Sequence, residues 1–165
     1  MQTALKFLYT LSISIWVGSI FFFSFMAAPS IFKVLPRETA GNVVSDIFPK
    51  YYMLSYVCGA LAIIAALALW FVYSSRGGIV NYLRIGGLVL MLGLSVYAGE
   101  VVRPVAAETR AELRTLTESS PNYLAVQEKF GILHARSAIF NASVFVLGIA
   151  ILVINAYTNR EQGLY

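Results

Sequence analysis

The sequence predicts an all-α polytopic membrane protein. The expected form is a four-transmembrane-helix bundle, with helices 3 and 4 extended beyond the bilayer on one side and an interfacial amphipathic helix between helices 1 and 2. Three observations predict it. Of 165 residues, 59% are hydrophobic and only 12% charged, against about 45–50% and about 25% in an ordinary soluble domain. Four apolar runs, roughly Leu5–Ala28, Tyr51–Tyr73, Tyr82–Val102 and Ile139–Tyr157, are long enough to cross a bilayer. They fill most of the chain, so residues 1–165 read as a single domain. Finally, Tyr123, Gln127, Phe130, His134, Ser137 and Asn141 recur in steps of three and four, which places them on one face of a helix. A polar stripe entering hydrocarbon must face protein or a water-filled cavity, so the other helices are expected to pack around it.

The first run is preceded by Lys6 and closed by Met-Ala-Ala-Pro, which superficially resembles a secretory signal. Its apolar stretch exceeds the roughly 7–15 residues of a signal core, so a membrane span is expected. Ser14 and Gly18 make a small-xxx-small pair for a neighbouring backbone. Trp16 lies mid-membrane, where its ring N–H needs a partner inside the bundle, and Pro29 is expected to end the helix.

Ser30–Lys50 reads as the interfacial helix. Pro36 suits a first helical position, and Leu35, Ala40, Val43, Val44 and Ile47 recur at amphipathic spacing. Phe48-Pro49 is expected to break it and start helix 2. There Tyr51, Tyr52 and Tyr56 look like an interfacial belt, and Ser55, Gly59, Ala62 and Ala66 form a close-packing stripe. A tight turn is expected over Ser74–Gly78.

Helix 3 carries Gly86, Gly93, Tyr97 and Glu100 on one face. It should continue past the membrane through the Ala-, Glu-, Leu- and Arg-rich Ala106–Leu116, with a kink at Pro104 and a seam of Val102, Ala106, Thr109, Leu113 and Leu116. Ser120-Pro121 is expected to cap helix 4, which then runs unbroken to about Asn159. Four spans put both termini on one side. Lys6, Arg76, Arg84 and Arg160 flank span ends there with almost no acids, which points to cytoplasmic termini, in a bacterial inner membrane.

The net charge of +4 is spread around the spans without a Lys/Arg block, so the expected surroundings are the lipid bilayer and no nucleic acid. One cysteine, Cys58, excludes an intramolecular disulfide or a Cys-pair motif. Threading the spans brings Met26, Met53, Tyr56, Cys58, Glu100, Arg103, His134, Arg136 and Asn141 into the half of the bundle nearest the larger connections. Glu100 is expected to pair with His134 or Arg136, or with Arg103 on its own helix. The plainer alternative is that these groups are interhelical clasps.

A soft metal would have His134, Met26, Met53 and Cys58 as candidate ligands, and haem would have only His134 and a methionine as an axial pair. The sequence requires neither. Ser137 follows His134 by three residues, but nothing marks an oxyanion hole, so no enzyme is indicated.

Several short motifs combine into a resemblance. They are Trp16-Val-Gly18, Pro29-x-x-Phe32-x-x-Leu35-Pro36 with Gly41, Ile47-Phe48-Pro49-x-Tyr51-Tyr52, Pro104 with Arg110, and Leu133-His134-x-x-Ser137-x-x-x-Asn141. In order and spacing they resemble the transmembrane protein 205-like family of small four-helix membrane proteins, over nearly the whole chain. That family has been linked to tolerance of platinum drugs, and some bacterial relatives are labelled copper-resistance-like. The resemblance implies at most an association with soft metals or small-molecule export, with Trp16, His134, Ser137 and Asn141 as its polar core.

Two functions are therefore expected. One is transport of, or tolerance to, soft metals or small amphipathic molecules at the mouth of the bundle. The other is a structural or accessory part of a homo-oligomer or a larger membrane complex.

Overall fold

The computed structural model describes residues 1–73 and 78–162, with side chains described for 1–72 and 78–158. The expected turn over Ser74–Gly78 lies, but for Gly78, outside the described residues.

Among the described residues four rods are long and apolar enough to cross a membrane: Gln2–Val34, Arg37–Val72, Ile79–Thr115 and Tyr123–Thr158. At 33 to 37 residues each and about 1.5 Å per residue, they run about 50–55 Å, well beyond the roughly 30 Å of hydrocarbon. The first packs on the second, the second on the third, the third on the fourth and the fourth back on the first. This is an up-down-up-down four-helix bundle.

The rods divide into α1 (Gln2–Phe21), α2 (Ala28–Val34), α3 (Arg37–Tyr73), α4 (Ile79–Tyr97), α5 (Arg103–Thr115) and α6 (Tyr123–Gln162). Pro29 does not end the first rod. A π-helical turn over Phe22–Ala27 carries α1 into α2. A second π turn, Ala98–Val102, joins α4 to α5 just before Pro104. The physics is shared: proline has no N–H to give to the i−4 carbonyl and its ring crowds that carbonyl, and a widened turn relieves both. Helix 3 thus meets Pro104 through a π turn.

The separate interfacial helix is also corrected. Arg37–Lys50 is helical, but it is continuous with span 2 through Pro49 inside α3. Only Leu35 and Pro36 interrupt the chain between the first two rods. Ala40 and Val44 of this segment are buried in protein, so its apolar stripe serves the bundle. All four rods therefore project on the loop side. Similarly, α6 begins at Tyr123, after a turn in which the Tyr123 N–H donates to the Ser120 carbonyl at 3.0 Å.

In lipid, helix association gains little from the hydrophobic effect, because acyl chains are as apolar as leucine; close packing and polar contacts decide it. The core follows that rule. Trp16 is 0% exposed, and its ring lies 3.0 Å from where a Cβ on Gly59 would stand. Ile13, Ala62, Leu88, Met91 and Val144 close the axis around it. The stripe of Ser55, Gly59, Ala62 and Ala66 is buried as expected. Gly18, in contrast, meets nothing within 4 Å and Ser14 is exposed, so that pair faces away from the bundle.

Candidate functional site

Among the described residues, most polar contacts between rods are on the loop side. Tyr51 and Tyr52 are not an interfacial belt: both are buried, in a ring cluster with Phe23 and Phe48. Phe23 and Tyr51 have centroids 5.3 Å apart, and Tyr51 and Tyr52 meet edge-on at 5.2 Å. Gly99 permits this. A Cβ there would strike the Tyr56 hydroxyl and approach the Tyr52 ring to 2.8 Å.

From this cluster two hydroxyls reach the expected polar residues. Tyr51 donates to Asn141 Oδ1 at 3.2 Å, linking α3 to α6. Tyr56 donates to Glu100 Oε1 at 2.9 Å, linking α3 to the π turn at Ala98–Val102. Glu100 therefore meets a phenol in place of the expected His134, Arg136 or Arg103. Arg103 spends its Nε on the Gly99 carbonyl at 3.0 Å, one turn back on its own rod.

His134 is exposed and its ring stacks over Phe130, 6.4 Å away on the same helix. The inward face of α6 is instead marked by Val126, Leu133, Ser137, Asn141, Val144 and Gly148, buried or half-buried. By helical geometry His134 lies only about 20° around from Asn141, at the margin of that face and two turns further out, where its side chain is left exposed. Arg136 is exposed too. Of the metal candidates, Cys58 is buried while Met26 and Met53 are exposed, so the four do not converge on one place. Among the described residues no group of three or more His, Cys, Asp or Glu could hold a metal ion. Trp16 is central, but among the described residues its Nε1 finds no acceptor, where a partner inside the bundle is expected.

What residue-by-residue reading missed lies further out. Arg110 on α5 reaches across to α3, where its guanidinium donates to the carbonyls of Gly41 (2.5 Å) and Glu38 (3.0 Å) and to the Ser45 hydroxyl (2.8 Å). Arg114, one turn on, bonds Asn42 and lies 3.9 Å from Glu38. Gly41 has no side chain because the guanidinium fills that space. Burial, with Arg114 close by, pulls the Arg110 guanidinium below its ordinary pKa, against the opposing pull of Glu38. It stays a cation at neutral pH, held by three acceptors. The signal was present: Gly41 and Arg110 both belong to the motifs quoted above.

At the other end, Asn155 of α6 donates to Thr10 Oγ1 of α1 at 3.2 Å. Arg84 of α4 reaches the Ile154 carbonyl at 3.5 Å.

Fold and site together define a small polytopic membrane protein whose polar contacts tie helix to helix. The chain belongs to the family described as a domain of unknown function (DUF4149), whose profile matches residues 11–115. The matched region contains Trp16, Gly41, Tyr51, Glu100 and Arg110 and stops before His134. An uncharacterised protein of Aquifex aeolicus (strain VF5) is 47% identical over 45 residues, 27% of this chain and 34% of that protein. The chain thus spans about a third of the length of the relative it matches. No solved structure matches.

Proposed function

We propose that this protein is a structural or accessory component of a larger membrane assembly or homo-oligomer, and that it works through its outer surfaces and protruding helix ends. One observation carries the reading: the bundle axis is filled. Trp16, Ile13, Leu88, Met91 and Val144 are all essentially unexposed, so a solute has no ready path between the four rods of one copy. The loop-side polar groups pair with each other across helices, as clasps do.

The narrower reading, transport of or tolerance to soft metals or small amphipathic molecules, would need His134 to act with Cys58 or the methionines. Their separation between core and surface favours the first reading. Kinship with the transmembrane protein 205-like family belongs with the narrower reading. For a protein of a bacterial inner membrane, Lys6 and Arg84 at the terminal ends of their spans support cytoplasmic termini.

Cross-linking in native membranes, followed by mass determination of the recovered species, tests the proposal. The expected result is a defined complex with a second copy or another membrane protein. A strictly monomeric product, with metal tolerance that falls in a folded His134→Ala variant, would overturn it.

A further inference from the structure

At the terminal-side end of the bundle, two buried hydrogen-bonding groups among the described residues have no partner, Arg84 Nε and the Tyr9 hydroxyl. Arg84 stands six residues into α4, two residues inside the expected hydrocarbon span. Among the described residues no carboxylate lies within 4 Å of it. Among the described residues its one hydrogen bond is long, 3.5 Å, to the Ile154 carbonyl. That carbonyl already accepts from Thr158 Oγ1 at 2.8 Å. Arg84 Nε is buried with no acceptor.

Tyr9 of α1 lies near enough to feel the Arg84 charge; it is 3% exposed and its hydroxyl has no partner among the described residues. Adjacent residues hold the place together: Thr10 accepts from Asn155, and Ile154 accepts from Arg84. A guanidinium has five N–H donors and no acceptor. A cation at the edge of hydrocarbon is costly unless something negative meets it.

The fitting occupant is an acceptor-only anion, and a phosphate oxygen pair suits a planar guanidinium.

We propose that Arg84, with the Tyr9 hydroxyl as second donor, forms an anion site between α1, α4 and α6 for a phosphate group. The group is the headgroup of an anionic phospholipid from the terminal-side leaflet or free inorganic phosphate. Arg84 is the anchor. Tyr9, whose hydroxyl is now closed over, turns toward the anion as it enters, and the Asn155–Thr10 bond keeps α1 against α6 while it does.

The full chain is purified in a neutral detergent and offered phosphatidylglycerol or phosphatidylcholine, and retained lipid is counted by native mass spectrometry. In a parallel arm, inorganic phosphate alone is added and the thermal midpoint followed. Preferential retention of phosphatidylglycerol, weakened about five- to tenfold by Arg84→Gln and less by Arg84→Lys or Tyr9→Phe, is the expected result. Stabilisation by inorganic phosphate that Arg84→Gln abolishes would support the same site with a soluble source.

Circular dichroism establishes that each variant keeps its helix content. Tyr9→Phe removes one hydroxyl and little volume, so it reads the site if Arg84→Gln does not fold. Equal retention of both lipids with no response to phosphate overturns the proposal. So does a phosphatidylglycerol preference left intact by Arg84→Gln and by Tyr9→Phe.

Discussion

Arg110 lays its guanidinium in the space that a side chain on Gly41 would fill. The two residues are 69 positions apart, on rods 2 and 3, and each is shaped for the other. Arg110→Ala removes three charge-assisted bonds that are partly exposed, and a loss of about 1–2 kcal/mol is expected. Gly41→Ala displaces the guanidinium but gains up to about 1 kcal/mol of helix propensity, so alone it costs little. With Arg110 already truncated, Gly41→Ala should stabilise. The four proteins of this cycle, unfolded thermally in detergent, should show strong non-additivity; simple additivity would mean that the contact contributes nothing.

Gly99→Ala should be far more harmful than Gly18→Ala. A methyl at Gly99 meets the buried Tyr52 ring, which cannot swing away as an arginine can. Overpacking of this kind costs about 1–3 kcal/mol. A methyl at Gly18 meets nothing within 4 Å, so that change should be neutral or slightly stabilising. Thermal midpoints of the two variants in one detergent decide the matter.

His134→Ala and Asn141→Leu should separate. His134 is exposed and touches only Phe130 among rings, so its removal should shift stability by less than about 0.5 kcal/mol. Asn141→Leu orphans the Tyr51 hydroxyl inside the bundle and should cost about 1 kcal/mol. Chemical or thermal unfolding of both variants provides the comparison, and equal costs would count against the geometry described.

Much of the fold was legible in the sequence because its signals are long. Four apolar runs, the seam from Val102 to Leu116 and the buried stripe from Ser55 to Ala66 all hold. Where the reading failed, a local rule yielded to context. Pro29 and Pro49 read as breakers, yet a π turn absorbs the first and α3 passes through the second, since neighbouring helices and adjusted turns can satisfy freed backbone groups. The site was less legible. Spacing put His134 on a stripe with Asn141, and the two differ by only about 20° around the helix; what separates them is height, since Asn141 meets Tyr51 of α3 while His134, two turns further out, is exposed. Arg110 lacked the composition of a site: it looked like one charge among many on a solvated helix, and only its distant counterpart Gly41 shows its purpose.

Asn155→Leu should loosen the opposite end. It removes the bond to Thr10 that joins α1 to α6, for a cost of about 0.5–1 kcal/mol. Hydrogen exchange should quicken in the first turns of α1 while the loop-side half of α3 stays protected; uniform quickening would mean that the two ends are not independent.

Cys58 offers the most direct test of the filled axis, because it is the chain's one cysteine and lies buried in the core beside Gly59. In sealed native-like vesicles, a small hydrophilic thiol reagent should leave Cys58 unmodified from either side until the protein is denatured. Cysteines placed at the buried Ser55 and Ser95 should behave alike. Rapid labelling of any of the three from the aqueous phase would reveal a water-filled path through the bundle and contradict the account.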